Sequence, residues 1–190
     1  MDLSVIAFLA LLLLVAALRI FELRVSRNHQ RAMLPRGAVI VKEPLYPWLV
    51  AVHTFVLIAA ALEVIALKRP FIPVLAATMF GIFLAANLVR LWVIRTLGNH
   101  WNVQVMDSTS AGVITTGPFR FVRHPNYTAV IVELITLPLI HTAWITSIVG
   151  TLGYLAVISQ RIPLEERALL ANPDYRAAMS AKPRFLPGLF

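Results

Sequence analysis

The chain has 190 residues, of which 59% are hydrophobic and 14% charged, and its mean hydropathy is +0.78. A soluble domain usually has about 45–50% apolar and about 25% charged residues, so the composition indicates a membrane protein rather than a soluble fold. Cysteine is absent, which excludes disulfides, thiolate metal sites and cysteine nucleophiles, and no metal site is predicted. The net charge of +8 comes from basic residues between apolar runs, which favours a membrane face over nucleic acid.

Three apolar runs in the first half are long enough to cross a bilayer. The first extends from Leu3 to about Leu23, and we interpret it as a retained anchor helix, because no charged region precedes it and no small-residue cleavage pattern follows it. A basic segment, 24–42, comes next. The second run covers 46–67 and the third 71–94. Each has close to the ~20 residues needed to cross a ~30 Å hydrocarbon core.

The second half contains a longer apolar stretch, from Tyr127 to Ile158, which exceeds one span. His141 and Thr142 near its middle predict a tight helical hairpin with its turn on the far side of the membrane. The tail, 160–190, is polar and interrupted by prolines. We therefore predict an all-α integral membrane bundle of about five transmembrane helices, forming one domain over 1–190, with a cytoplasmic C-terminal segment.

Orientation follows from the placement of lysine and arginine. With five spans, the segments 24–42, 95–126 and 160–190 lie on one side and hold most of the basic residues. The opposite side receives only Lys68 and Arg69 outside the helices. The positive-inside rule then predicts an outside N-terminus and a cytoplasmic C-terminus, in the plasma membrane if the protein is bacterial.

Several ionisable or polar side chains fall within the predicted spans, where their cost makes them candidates for function. They are Arg19, Glu22, His53, Glu63, Asn87, Arg90 and Glu133. Arg19 and Glu22, three apart on one helix face, favour a local ion pair. Arg90 and Glu133 either neutralise each other between helices or line a cavity.

The region before the fourth span combines turn formers, aromatic residues, two arginines and a histidine, over 98–104 and 111–127. Pro125 begins the fourth helix, whose free N–H groups favour an anionic group. After the fifth span, Arg161 and Glu165 are four apart, so they share a face of a helix. A binding site at this polar face is one interpretation. Helix capping by His124, interfacial packing by Tyr127 and a solvated acid at Glu165 are the simpler alternatives.

These residues resemble a known family. The stretch from Gly117 to Tyr127 (GPFRFVRHPNY), the Arg161-x-x-x-Glu165 pair and the terminal 183–187 (PRFLP) are similar to isoprenylcysteine carboxyl methyltransferases. The resemblance covers about 97–187, which would be the cofactor-binding part. Two upstream features, 19–23 (RIFEL) and Gly98-x-x-Trp-Asn, look like a bacterial branch in which some members methylate long-chain polyketide pyrones or phenols.

The resemblance implies S-adenosyl-L-methionine as cofactor, held at the cytoplasmic membrane edge. By matching positions, the implied cofactor-binding residues are Gln104, Ala111, Gly112, Val113, Ile114, Phe119, His124, Pro125, Asn126, Tyr127 and Glu165. Arg161 matches the arginine that faces the substrate carboxylate, and Arg90 is a second candidate substrate-binding residue. Ala111 and Phe119 depart from the family pattern, because each replaces a polar residue.

We therefore predict an integral membrane O-methyltransferase that acts on a lipophilic acceptor, either a lipid or polyketide hydroxyl or an isoprenylcysteine carboxylate. A carboxylate acceptor needs no base, since it is ionised at neutral pH. A phenol or enol must lose a proton, which Glu133 or His124 would accept beside Arg161. A membrane NADPH-dependent reductase of the sterol-reductase type and a non-catalytic membrane assembly subunit are the alternatives. The expected partners are membrane lipids and the lipophilic or prenylated substrate.

Overall fold

The computed structural model describes residues 2–185, and its architecture is almost entirely helical. The described helices are α1 (Leu3–Met33), α2 (Tyr46–Ala66), α3 (Pro73–Leu97), α4 (Pro125–Leu139), α5 (Trp144–Leu169) and α6 (Pro173–Met179). Two short strands, β1 (Val39–Ile40) and β2 (Met106–Asp107), pair antiparallel. Leu186 and Pro187 of the motif in the tail lie outside the described residues.

Four of these helices, α1, α2, α3 and α5, are long and apolar enough to cross a membrane. Large apolar side chains such as Leu13, Leu62 and Leu88 are 61–72% exposed, as expected where lipid is the solvent. The remaining predicted span is α4, whose 15 residues extend only about 22 Å at 1.5 Å per residue. The predicted all-α membrane bundle is confirmed.

The predicted hairpin is present between α4 and α5. Helix α4 ends at Leu139 and α5 begins at Trp144. Thr142 in the turn has a φ of 55°, and its hydroxyl donates a 2.6 Å hydrogen bond to the carbonyl of Pro70. The turn is thereby attached to the connection between α2 and α3.

Two helices extend further than predicted. Helix α1 continues to Met33 instead of ending near Leu23, because 24–33 contains no glycine or proline and includes good helix formers. Helix α5 continues through Pro163 to Leu169, so the first ten residues of the predicted polar tail are helical. Both extensions carry charged residues beyond the apolar runs.

The polar segments meet at one end of the bundle, which we call the polar end. The C-terminal ends of α1, α3 and α5 and the N-terminal ends of α2 and α4 lie there, and the β1–β2 pair joins two of the connecting segments. At the opposite end, Glu63 accepts hydrogen bonds from Arg69 and from both the backbone and the hydroxyl of Thr146. The grouping of polar segments agrees with the predicted topology, while the side of the membrane stays a prediction.

Candidate functional site

A cavity of about 790 Å³ extends from the polar end into the bundle. This volume lies within the roughly 300–1,000 Å³ typical of ligand pockets. Apolar residues of α1 and α2 form much of its wall. Leu13 and Ile20 of α1 and Ile58 and Leu62 of α2 line the cavity and are also exposed. The cavity therefore opens between α1 and α2 toward the region that lipid would occupy.

The loop before α4 and the tail after α6 are in direct contact. The backbone N–H groups of Arg123 and His124 donate 2.9 Å hydrogen bonds to the carbonyls of Pro183 and Arg184. The ammonium group of Lys182 donates a 2.7 Å hydrogen bond to the carbonyl of Phe119. Since Phe119, Arg123 and His124 line the cavity, the tail holds one wall of it in place.

Glu166 joins the same two segments through its side chain. Its carboxylate lies 3.3 Å from Arg123 and 3.1 Å from His124 on the loop, and 2.6 Å from Arg184 on the tail. Sequence reasoning assigned no site role to Glu166. A charge argument could have found it, because this buried acid follows Glu165 at the end of the molecule that collects the basic residues.

Tyr127 and Glu165 lie together in the cavity wall. The Tyr127 hydroxyl donates a 2.6 Å hydrogen bond to the Glu165 carboxylate, and both side chains line the cavity. Tyr127 lies in the first turn of α4 and Glu165 in the last turns of α5. Because the predicted hairpin places these two helices side by side and antiparallel, it also brings this pair together. The contact fixes the orientation of the carboxylate.

Arg161 is 3% exposed and is held from one side. Its Nη2 donates to the carbonyl of Val103 and lies 3.1 Å from the carboxylate of Glu43. Its Nε and Nη1 have no hydrogen-bond partner among residues 2–185. Burial raises the pKa of Glu43 above its usual value, and the nearby Arg161 opposes that shift. Sequence reasoning missed Glu43, which lies in a loop with no recognisable pattern.

Four charged side chains meet deeper in the bundle, and we call them the charged quartet: Arg19, Glu22, Arg90 and Glu133. Arg19 lies 2.8 Å from Glu22 and 2.7 Å from Glu133. Arg90 lies 2.6 Å from Glu22 and 3.4 Å from Glu133. The two alternatives for Arg90 and Glu133 are therefore both realised, because they pair and Arg90 also lines the cavity.

Most of the predicted site residues line this one cavity. The predicted residues that line it are Gln104, Phe119, His124, Pro125, Asn126, Tyr127, Arg161, Glu165 and Arg90. The described cavity wall does not include Ala111–Ile114 or Glu133. Ala111 and Gly112 are exposed, and Val113 and Ile114 pack against the cluster that contains Phe119.

Comparison with known proteins places these features in a family. The model of the isoprenylcysteine carboxyl methyltransferase family matches residues 77–171. An uncharacterized Bacillus subtilis protein, YpbQ, is 27% identical over 166 residues, which cover 85% of this chain and 96% of that protein. An uncharacterized Haemophilus influenzae protein is 29% identical over 158 residues, which cover 82% of this chain and 90% of that protein.

Proposed function

The chain belongs to the isoprenylcysteine carboxyl methyltransferase family and is a membrane methyltransferase; we propose that it transfers a methyl group from S-adenosylmethionine to an oxygen atom of a lipophilic acceptor. The supporting observation is a single cavity that joins the polar end, with Arg161 and Glu165, to an apolar wall open between α1 and α2. Family membership favours this function over the reductase and the non-catalytic subunit.

The residues at the polar end of the cavity fit the proposed cofactor. S-adenosylmethionine carries a carboxylate, an ammonium group and two ribose hydroxyls, which need both donors and acceptors. Asn126 has a buried side-chain oxygen with no partner among residues 2–185, and His124, Tyr127 and Glu165 provide further polar groups. Together with Gln104, Phe119 and Pro125, these residues would hold the cofactor, whereas the predicted stretch 111–114 lies outside the described cavity wall.

When bound, S-adenosylmethionine supplies a methyl group on a sulfonium together with a good leaving group. The protein must then position the acceptor and exclude water. Glu43 and the Val103 carbonyl hold one nitrogen of Arg161, and Nε and Nη1, which have no partner in the described part of the chain, would orient an acceptor oxygen. The apolar residues of α1 and α2 keep the remaining wall dry.

The need for a base depends on the acceptor. A carboxylate is already ionised at neutral pH, so Arg161 alone would suffice to orient it. A hydroxyl must lose its proton, to His124 in our proposal, because the described cavity wall includes His124 but not Glu133, the other predicted base. The carboxylate of Glu166, 3.1 Å from His124, would stabilise the protonated imidazole. The carboxylate of Glu133 is instead already paired with the guanidinium groups of Arg19 and Arg90.

We propose a small lipid or polyketide acceptor rather than an isoprenylcysteine, supported by the two bacterial relatives that match this chain over most of its length. Membranes that contain the protein should transfer label from radioactive S-adenosylmethionine to an extractable lipid, which mass spectrometry can identify. Robust methylation of a farnesylcysteine analogue alone would contradict this preference.

Cofactor binding can be tested separately by calorimetric titration of S-adenosylhomocysteine into the purified protein in detergent. The wild-type protein should bind, and Glu165→Gln should bind about 10- to 100-fold more weakly, since one charge-assisted hydrogen bond contributes about 1.5–3 kcal/mol. Asp174→Asn, an exposed acid-to-amide change in α6, is the matched control. Failure of the wild-type protein to bind either S-adenosylhomocysteine or S-adenosylmethionine would refute the proposed function.

A further inference from the structure

The cavity contains a second polar region, separate from the polar end. Three members of the charged quartet, Arg19, Glu22 and Arg90, line the cavity wall. On α4, Glu133 of the quartet follows Tyr127 by six residues, which corresponds to about 9 Å along the helix axis. A ligand that extends from Arg161 along the apolar wall would therefore pass polar groups again, within the membrane-spanning part of the bundle.

The charged quartet is balanced in charge but not in hydrogen bonds. Two guanidinium groups face two carboxylates, so the net charge is zero. Arg90 is 7% exposed and Glu133 3% exposed, yet Nε of Arg90 and Oε1 of Glu133 have no hydrogen-bond partner among residues 2–185. Unpartnered charged groups at this depth are costly.

A purely structural role does not account for both the unpartnered polar atoms of the quartet and its position at the cavity wall. A buried ion network can often be replaced by packed apolar residues without loss of stability, so stability alone is a weak reason for its presence. Nor does a structural network require three of its members to form a cavity wall. A ligand group that reaches the quartet through the cavity would explain the location.

We propose that the charged quartet is a binding subsite for a neutral hydrogen-bonding group, a hydroxyl or a carbonyl, carried by the acceptor at the distance that separates Arg161 from the quartet. This inference rests on the proposed function and specifies its acceptor. The group is neutral because a carboxylate or an ammonium would add an uncompensated charge to a balanced buried cluster. A hydroxyl can accept from a guanidinium and donate to a carboxylate at once.

The quartet should bind two kinds of acceptor with different affinities. An all-hydrocarbon chain would cover the quartet without satisfying it, whereas a chain with a hydroxyl at the right distance would form a hydrogen bond with a charged group. One such bond corresponds to about a 10- to 100-fold difference in affinity.

The test compares two meta-alkylphenols of equal chain length, one of which carries a chain hydroxyl placed to reach the quartet when the phenol oxygen lies at Arg161. Each is titrated calorimetrically into the detergent-purified protein in the presence of S-adenosylhomocysteine. The wild-type protein should prefer the hydroxylated phenol by about 10- to 100-fold. Arg90→Lys keeps the charge but loses the guanidinium donors, and should reduce this preference to less than about 3-fold.

Two further variants separate binding from folding. Arg69→Lys changes an arginine that pairs with Glu63 at the opposite end of the bundle and does not line the described cavity, so it should keep the full preference. The double variant Arg90→Leu with Glu133→Leu removes one charge of each sign and should favour the hydrocarbon phenol instead.

Each outcome decides the proposal. Equal binding of the two phenols by the wild-type protein, binding of neither, or an unchanged preference in both quartet variants would overturn the subsite. If S-adenosylhomocysteine still binds in those cases, the proposed function stands while the subsite fails. If S-adenosylhomocysteine does not bind, both fail together.

Discussion

Gly117 begins the loop that leads to α4, and we expect its replacement by alanine to displace that loop. Its φ is +57°, in the left-handed region that side chains disfavour. A Cβ atom at this position would lie 2.5 Å from the hydroxyl oxygen and 2.9 Å from the methyl carbon of Thr96 on α3. Gly117→Ala therefore combines backbone strain with a steric clash.

The expected cost can be divided between these two causes. The left-handed conformation of an alanine costs roughly 1–2 kcal/mol, and forcing an extra methyl group into a packed site costs about 1–3 kcal/mol. Gly37 also has a left-handed backbone, with φ +85° and ψ 8°, but the nearest heavy atom to its added Cβ is 3.4 Å away, an ordinary contact. Gly37→Ala should therefore show the first cost without the second.

Denaturant titration of the detergent-purified variants would measure the free energy of unfolding. Gly117→Ala should be about 1–3 kcal/mol less stable than Gly37→Ala. Introducing Gly117→Ala into a Thr96→Ala background removes the two closest clashing atoms, so most of this difference should disappear. Titration of S-adenosylhomocysteine should also show weaker binding to Gly117→Ala, because its loop carries Phe119 and His124 into the cavity wall.

Equal stability of Gly117→Ala and Gly37→Ala would refute the clash argument. The same conclusion would follow if the Thr96→Ala background gave no recovery, because the predicted contact is specific to that side chain. Unchanged affinity for S-adenosylhomocysteine alongside a large loss of stability would instead show that the loop position matters for folding but not for the site.

Three further predictions concern other parts of the molecule. Glu166→Gln should weaken the contacts between loop and tail, so that trypsin cleaves the tail about 10-fold faster or more, with rates near wild type contradicting this role. Burial raises the pKa of Glu43, so its contribution to stability is complete below the ordinary carboxyl pKa and is lost as pH rises through the raised value. The free energy of unfolding of wild type relative to Glu43→Gln should therefore fall over that window, and denaturant titrations at several pH values that showed the opposite slope would refute it. Gly150→Ala places a Cβ in steric overlap with a methyl group of Val56 and should lower the unfolding temperature in detergent, whereas Gly153→Ala, with its nearest contact at 3.7 Å, should not.

Much of the fold could be predicted because lipid imposes a simple rule on sequence. Runs of apolar residues must form helices that satisfy their own backbone hydrogen bonds, so composition and run length predicted the helical bundle and the hairpin at His141 and Thr142. Helix ends were harder, since charged residues with good helix propensity extend α1 to Met33 and α5 to Leu169. Hydropathy runs and helix propensity arise from residues that are neighbours in the chain, so they can be recognised in short stretches of sequence.

The chemistry of the cavity depended instead on distant residues. Motif resemblance identified His124, Tyr127, Arg161 and Glu165, whose types and spacing are distinctive. The partner of Arg161, Glu43, lies far away in sequence, and only the packing of the helices brings them within 3.1 Å.

The sequence by itself determined that this chain is a helical membrane protein with a methyltransferase motif at its polar face, because hydropathy and local motifs are properties of short stretches. Only the tertiary structure decided that Arg19 and Glu22 join Arg90 and Glu133 in one charged quartet. Those contacts connect three helices, α1, α3 and α4, and their energy depends on distances that no single helix specifies.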